Sequence, residues 1–293
     1  MANSGSLSLS ESGSALKRSL KSITIPISIP IPILEEFVND YTLREMMAVA
    51  AAREIKDGDI VFCGTGISML AAMAAKYISA PNSTIFFETG AIDSKLEEVP
   101  LAVGDPRVMY HTAVNGSLAD SFATMQNKFT GRQVVGVMGA AQIDPYGNLN
   151  STAIGDYTAP KVRFSGSGGA CDVASFVRRT IIFMQHEKRK FVRKLDYLTS
   201  PGWLDGPDGR KLEGLPPGGP EAVITNLGIM RFDQTSRRMY LDGFYPGVTP
   251  QQILENMGFS VETQNARPVA SPSAEELDIL RKRCDPQRLI LDP

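Results

Sequence analysis

The sequence contains few of the residues that bind metals or form disulfides, with three cysteines and two histidines among 293 residues. Cys63, Cys171 and Cys284 are far apart and form no Cys-x-x-Cys pair, which argues against a disulfide framework and against a zinc site. His111 and His186 do not occur in a metal-ligand spacing. Cysteines of this kind fit a reducing compartment, so the chain is predicted to be cytoplasmic and to bind no metal.

The sequence also lacks an excess of basic residues. Lys and Arg number 30, Asp and Glu number 32, and the formal net charge is -2, so no basic field attracts nucleic acid. Neither a Gly-x-Ser-x-Gly motif nor a phosphate-loop signature is present, which argues against serine and nucleotide hydrolysis. With 43% hydrophobic residues the chain can form a full core, and small-molecule chemistry is favoured.

Long apolar runs are absent too. The most hydrophobic N-terminal segment, 23–34, is interrupted by Pro26, Pro30 and Pro32, which excludes a membrane helix there. The serine-rich start lacks the apolar core and the cleavage site of a secretory signal. We therefore predict a disordered Ser/Pro-rich extension over 1–38, followed by a single domain over 39–293 with a C-terminal arm from about residue 250.

Helix and strand patterns alternate from residue 39 onward. Thr42 and Glu45 have the spacing of a capping box at the start of a helix. An apolar strand over 59–63 runs into the turn Gly64–Gly66 and then a helix from Ser68 to about Lys76, which is half of a βαβ unit. Further predictions are strands over 83–88, 133–138, 180–184 and 222–225, a long surface loop over 200–220 and a helix over 249–258. This alternation predicts an α/β fold with an open, mainly parallel sheet and helices on both faces.

Glu88 ends one of these predicted strands and precedes a turn at Gly90. Catalytic groups in open α/β sheets gather at the carboxyl ends of strands. Phe86 and Phe87 would partly desolvate a carboxylate at this place, which raises its reactivity. Acids near turns are also common as solvated surface groups. Glu88 is therefore a candidate nucleophile, with a solvated residue at a strand exit as the alternative.

Two glycine-rich segments can bring backbone amides close to a ligand. Gly64–Gly66 lacks the third glycine of a dinucleotide fingerprint, since Met69 stands there, but the amides at the start of the following helix can bind an anion. The small residues of Gly166–Ala170 leave several amides unshielded, as in an oxyanion or phosphate cradle. The alternatives are simple turn chemistry for the first segment and a flexible linker for the second.

Two further segments are polar. Asp144–Gly147 predicts a tight type I turn, and Gln142 and Asn150 on either side of it line a cleft or bond within their own loop. The basic run from His186 to Lys194 is a solvated helix face or a contact for the phosphates of a large anionic cofactor.

Taken together, these segments resemble the β subunits of class I CoA-transferases, in particular those of the glutaconate CoA-transferase type. The similarity extends from about Tyr41 to the C-terminal arm, in the order and spacing of that family. The segments that carry it are 87–90, 139–150, 154–157, 166–170, 184–189 and 199–206. The fold that it implies is the one shared by CoA-transferases and ribose-phosphate isomerases.

The resemblance implies a role for each candidate residue. Glu88 occupies the place of the covalent nucleophile, which attacks an acyl-CoA thioester and becomes a glutamyl-CoA thioester. Oxyanion and CoA contacts are expected from the two glycine segments, at Gly168, Gly169, Ala170, Gly64 and Gly66. The coenzyme A thioester is then a substrate, and no permanently bound cofactor is expected.

The resemblance also implies a partner. An α subunit is expected to supply the remaining CoA contacts and most of the acyl pocket, in an α2β2 or larger heteromer, without nucleic acid or membrane. Transfer of CoA to a carboxylic acid, such as a dicarboxylic acid of the glutaconate type, is the favoured reaction because Glu88 is retained. The alternatives are an acyl-CoA hydrolase, a ring-opening or decarboxylating relative of the same fold, and a non-catalytic chain that only completes an α subunit.

Overall fold

The structure is a computed structural model that describes residues 40–292. The predicted extension over 1–38 lies outside the described residues. The strands are β1 (Ile60–Cys63), β2 (Thr84–Phe86), β3 (Ala91–Ile92), β4 (Val114–Asn115), β5 (Val134–Gly139), β6 (Gln142–Ile143), β7 (Leu149–Asn150), β8 (Ala153–Ile154), β9 (Val162–Arg163), β10 (Arg179–Met184), β11 (Pro220–Thr225), β12 (Gly228–Phe232), β13 (Met239–Phe244) and β14 (Arg267–Pro268). The helices are α1 (Leu43–Ala52), α2 (Ile67–Ile78), α3 (Leu118–Gln126), α4 (Ala170–Phe176), α5 (Gly209–Leu212), α6 (Pro250–Glu255) and α7 (Ala274–Asp278), with 3₁₀ turns at Pro106–Met109 and Gly131–Gln133 and a π-helical segment at Ile279–Cys284. None of these helices is long and apolar enough to cross a membrane.

Ten of the strands form one sheet, in the order β14-β13-β12-β11-β10-β5-β1-β2-β3-β4. The five central strands, from β11 to β2, are parallel. Antiparallel strands extend the sheet beyond β2 and beyond β11. The central strands β5 and β10 are almost entirely buried, as expected for parallel strands that are covered on both faces. The predicted α/β fold with a mainly parallel sheet is confirmed.

Helices cover both faces of this sheet. The core on one face contains residues of α1, α2, α7 and the π-helical segment, and the core on the other face contains residues of α3, α4 and α6. Successive strand residues alternate between the two cores. Phe86 belongs to the α3–α4 side and Phe87 to the α1–α2 side, which fixes the orientation of the residues that follow β2.

The start of α1 forms as predicted and is tied to the C-terminal arm. Thr42 Oγ1 accepts a bond of 3.2 Å from Glu45 N, and Glu45 Oε2 accepts one of 2.8 Å from Thr42 N, which is a capping box. Glu45 Oε1 also accepts a bond of 2.6 Å from Nε of Arg281 in the π-helical segment. Burial alone would raise the pKa of Glu45, but the Arg281 guanidinium and the Thr42 N–H hold it below its ordinary value. The C-terminal arm therefore packs against α1.

The segment 200–220, predicted as a long surface loop, is partly buried and contains α5. The buried Arg210 guanidinium anchors it through bonds to the backbone oxygens of Ala174, Ser175 and Gly202 at 3.0, 2.7 and 3.0 Å. Burial also lowers the pKa of Arg210 to about 10. The Gly and Pro content of the segment correctly indicates irregular backbone, but it does not reveal this internal anchor.

The basic run from 186 to 194 is a turn after β10, so the helix considered for it is wrong. Lys188, Arg189, Arg193 and Lys194 are exposed. His186 and Phe191 between them are buried, and their rings stack with centroids 4.4 Å apart. The buried ring pair, and not the charge pattern, determines the path of this segment.

His186 should make the stability of the fold depend on pH. It is 5% exposed and its Nε2 lies 3.0 Å from Ile253 O, and burial lowers its pKa to about 4. An unfolded histidine has a pKa of about 6.5, so the stability contributed by neutral His186 is complete above that pH and is lost as the pH falls toward 4. In urea unfolding at pH 7 and pH 5, the wild type should lose about 2 kcal/mol more than His186→Gln. Equal losses in the two proteins would contradict the assignment.

Candidate active site

Glu88 lies directly beyond β2, at the edge where the parallel strands of the sheet end. Because side chains alternate along a strand, Glu88 is expected on the same face as Phe86, the face that α3 and α4 cover. The residue is half-buried. The sheet thus presents one partly desolvated carboxylate at the edge where α/β enzymes usually bind their ligands.

Long-range contacts hold the backbone on both sides of Glu88. Gly90 has a φ of 96°, in the left-handed region that favours glycine, and a Cβ there would overlap the backbone oxygen of Gly116. Gly116 N donates to Gly90 O at 2.8 Å. Ser121 Oγ of α3 donates to Phe87 O at 2.9 Å. These contacts hold the turn, so the carboxylate is presented from a fixed backbone.

Helix α3 is a part of the site that the sequence does not indicate. The local pattern that marks this helix is the capping box between Ser117 and Asp120 at its start. Only two of its residues are buried, and one of them, Ser121, is polar, so the apolar residues of the helix do not mark its buried face. Its contact with the turn after β2 depends on tertiary packing, which leaves no pattern in the sequence.

The glycine loop before α4 reaches Glu88. A Cβ placed on Gly169 would lie 3.7 Å from Cδ of Glu88 and 2.6 Å from Cζ of Phe122 in α3. A side chain at this position would therefore touch the carboxylate and displace the ring. The structure therefore brings together Glu88 and Gly169, which are far apart in the sequence, and adds Phe122 as an apolar wall that the sequence did not indicate.

The amides of this loop differ in their availability. The Ala170 N–H donates to Ser167 O at 2.9 Å. Within residues 40–292, the N–H groups of Gly168 and Gly169 have no backbone acceptor. Gly168 has a φ of 49°, and a Cβ there would meet no atom within 4 Å. The loop therefore offers two adjacent amides beside Glu88, and a ligand can approach its backbone closely.

The first glycine turn follows β1, the strand next to β2. The two strands are parallel and pair Phe62 with Phe86, so Gly64 and Glu88 leave the sheet side by side. Gly66 is the N-cap of α2, with φ 81° and ψ -145°, and no side chain caps the helix. A Cβ on either glycine would meet no atom within 4 Å. The backbone of this turn is thus open on the same edge of the sheet.

Glu88 differs in its electrostatic surroundings from the buried acids of the fold. Asp59 pairs with Arg178 at 2.8 Å and with Arg179 at 2.5 Å. Glu45 pairs with Arg281. Across residues 40–292 the Glu88 carboxylate has neither a hydrogen-bond partner nor a salt-bridge partner. An oxygen with no competing donor or cation keeps its lone pairs available to attack an electrophile.

The other polar segments do not join this site. Asn150 Nδ2 donates to Gln142 Oε1 at 2.7 Å, so these two amides bond within their own loop. The predicted turn over Asp144–Gly147 closes with a bond of 3.0 Å from Gly147 N to Asp144 O. The basic run follows β10, which β5 and β1 separate from β2, a distance of about 14 Å at normal strand spacing.

A cavity of about 960 Å³ lies at the amino ends of the parallel strands, opposite to the carboxyl ends where Glu88 lies. Arg178 and Arg179, at the amino end of β10, line it. Three of its arginines are paired with acids: Arg178 with Asp59 at 2.8 Å, Arg179 with Glu221 at 3.2 Å and Arg231 with Asp242 at 2.8 Å. Since ligands of α/β sheets bind at the carboxyl ends of strands, this cavity is separate from the candidate active site.

The sequence comparisons with known proteins all indicate the same family. The sequence model of the coenzyme A transferase family matches residues 44–256. The chain is 44% identical over 250 residues to the B subunit of glutaconate CoA-transferase from Acidaminococcus fermentans, covering 84% of this chain and 94% of that one. It is 38% identical over 247 residues to the B subunit of 3-oxoadipate CoA-transferase from Pseudomonas knackmussii, covering 82% of this chain and 92% of that one.

Comparison of the fold with solved structures indicates the same family. The crystal structure of glutaconate coenzyme A-transferase from Acidaminococcus fermentans contains a chain that superimposes with a TM-score of 0.84 at 43% identity. The match covers 87% of this chain and 98% of that one. The chain therefore belongs to the coenzyme A transferase family, as a β subunit of the class I type.

Proposed function

We propose that Glu88 is the covalent nucleophile of this CoA-transferase subunit and carries coenzyme A as a glutamyl thioester between two half-reactions. The observation that supports this most directly is the position of its carboxylate. It is half-buried, has no partner among the described residues, and lies at the end of β2 against Gly169. The acids that the fold buries, Glu45, Asp59, Glu276 and Asp285, are instead held by arginines or by backbone N–H groups, so the Glu88 carboxylate is the shielded acid that remains available to react.

The chemistry follows from a carboxylate that faces a thioester. A Glu88 oxygen attacks the thioester carbonyl, the C–S bond breaks, and an acyl–glutamyl anhydride and CoA thiolate result. The thiolate then attacks the glutamyl carbonyl and expels the acyl group as a carboxylate, which leaves CoA on Glu88. An incoming carboxylate reverses both steps and departs as the new acyl-CoA. No proton has to be gained or lost overall, so no general base is required.

The chain's own residues stabilise these steps in two ways. Each attack places negative charge on the carbonyl oxygen, and the Gly168 and Gly169 amides are the donors that can stabilise it as an oxyanion. The Ala170 amide is occupied by Ser167 O, so we assign it no donor role. Phe122 against Gly169 limits the access of water, which protects the anhydride from hydrolysis and strengthens the hydrogen bonds at the oxyanion.

We further propose that the acids are dicarboxylic and that an α subunit completes the site, in an α2β2 or larger assembly. Glutaconate and 3-oxoadipate, in the names of the two relatives above, are both dicarboxylates. Both relatives are named as B subunits, which points to a separate second chain. That chain would supply the remaining CoA contacts and most of the acyl pocket.

The test is to trap CoA on Glu88. The protein, assembled with its α subunit, is incubated with glutaryl-CoA and no acceptor acid, and borohydride then reduces a glutamyl thioester to the alcohol. Peptide mass spectrometry should find this change at Glu88 only in samples treated with the acyl-CoA, and Glu88→Gln should remain unlabelled. Turnover of the acyl-CoA to free acid and CoA, with no adduct at Glu88, would instead indicate a hydrolase.

A further inference from the structure

A second cavity, of about 470 Å³, opens at the carboxyl ends of β1, β5 and β10. Gly66, Gly139 and Gln185 lie in its wall, one beyond or at the end of each of these strands. The volume is within the range of about 300–1,000 Å³ in which proteins bind small organic molecules. The cavity thus has the size and the location of a ligand site.

The side chains that line this cavity include two cations and no acid. Arg44, in the first turn of α1, and Lys190, in the turn after β10, provide the charge. Arg44 Nη1 donates to Ile290 O at 3.0 Å, and Lys190 Nζ is 3.0 Å from Glu187 Oε1 outside the lining. Each cation is therefore held in place by one contact and has further N–H groups with which it can bind an anion.

Apart from Gln185 and the two glycines, the rest of the lining is apolar, and one wall is preformed. Met47 and Ile67 come from α1 and α2. Leu289 and Ile290, from the end of the chain, form the wall beside Arg44, and the buried Asp285 carboxylate holds them through bonds of 2.8 Å from each of their N–H groups. An apolar cavity with cations at fixed positions suits a molecule that carries an anionic group on an apolar body.

The cavity and Glu88 lie on different faces of the sheet. The cavity is lined by Met47 and Ile67, on the side of α1 and α2. The Glu88 carboxylate contacts the loop before α4, on the other side. Both open at the same edge, since the turn that contains Gly66 lies beside the strand that precedes Glu88. A ligand in the cavity would therefore bind apart from the reacting carboxylate.

We infer that this cavity binds the carboxylate or phosphate group of a small organic anion through Arg44 and Lys190. The anion has two possible sources: the phosphates of the coenzyme A molecule whose thioester reacts at Glu88, or a free organic acid. Anion binding does not depend on the function proposed for Glu88. Only the assignment of coenzyme A as the source rests on that function.

The experiment measures binding of three probes to the full chain by titration calorimetry: coenzyme A, 3′,5′-ADP and glutarate. The double variant Arg44→Gln/Lys190→Gln should weaken the binding of at least one probe by about tenfold or more, because it removes two charge-assisted hydrogen bonds. Lys188→Gln removes an exposed cation two residues from Lys190 and should leave each dissociation constant within about twofold of the wild type.

A second variant tests the cavity without changing its charge. Ala140 is in the lining, so Ala140→Phe should fill the space and weaken the same probe, even if the double variant folds poorly. A loss for coenzyme A and 3′,5′-ADP alone identifies the phosphates as the source, and a loss for glutarate alone identifies an organic acid. If no probe binds the wild type, or if neither variant weakens any probe, the inference is wrong. Failure to trap CoA on Glu88 with anion binding intact would overturn the proposed nucleophile and leave this site standing.

Discussion

Glu88→Ala should lose transfer activity by about a thousandfold or more, because deletion of a covalent nucleophile removes the reaction path and not only a binding contact. The free energy of unfolding should change by only about 0.5 kcal/mol, since Glu88 is half-buried and makes no hydrogen bond or ion pair with residues 40–292. Loss of activity in a protein of unchanged stability is the expected result. It is measured as the rate of CoA transfer by the assembled enzyme, beside urea unfolding of the variant.

Two companion variants make this result specific. Glu88→Asp keeps the carboxylate but withdraws it by one methylene, a misplacement of about an ångström that can cost on the order of a hundredfold in rate. Glu97→Ala removes an exposed acid that pairs with Lys95 at 3.2 Å, and it should transfer CoA at the wild-type rate. Transfer by Glu88→Ala above a few per cent of the wild-type rate would be incompatible with a nucleophilic Glu88.

The local parts of the fold could be predicted from the sequence because their causes are local. The capping box at Thr42 and Glu45 and the strand-turn-helix around Gly64–Gly66 form where the pattern indicates. The strand predicted over 83–88 ends at Phe86 in the structure. Phe87 N donates to Ala91 O at 2.9 Å and Phe87 O accepts from Gly90 N at 3.0 Å, so the turn begins at Phe87 and Glu88 lies within it, beyond the strand.

The candidate site could be predicted only in its separate pieces. Glu88 and Gly169 were both candidates, but their proximity is a product of the packing of α3 and α4 on one face of the sheet. Phe122 cannot be identified in this way, because a single aromatic residue carries no chemistry of its own. The Ala170 amide illustrates the same limit, since its bond to Ser167 O depends on the turn that starts α4.

For the basic run over 186–194, the composition predicts the wrong structure. Four exposed charges between 186 and 194 are typical of a solvated helix face. The buried His186 and Phe191 instead bind the run to the end of β10. One of its cations, Lys190, lines the cavity of about 470 Å³. Which charge in a run contacts a ligand therefore depends on the turn around it, and the sequence does not specify that turn.

Gly90→Ala should damage both the stability and the activity of the protein, and it tests whether the turn positions Glu88. The new Cβ would overlap Gly116 O and lie 2.8 Å from Ser117 O, and these are backbone atoms that cannot rotate away. The free energy of unfolding should fall by about 3 kcal/mol, from a strained φ of 96° and from the displacement of the 116–117 segment. Since that displacement moves the nucleophile, transfer by the folded fraction should also fall by about a hundredfold.

Gly58→Ala separates the effect of the strained φ from the effect of the contact with Gly116. Gly58 has a similar φ of 83°, but a Cβ there would meet no atom within 4 Å, and the residue precedes β1 at the amino end of the strand, away from Glu88. It should lose about 1 kcal/mol in the free energy of unfolding from backbone strain alone and keep its rate of transfer. If Gly90→Ala is no more destabilising than Gly58→Ala and transfers CoA at the wild-type rate, the contact with Gly116 does not hold Glu88 in its reactive position.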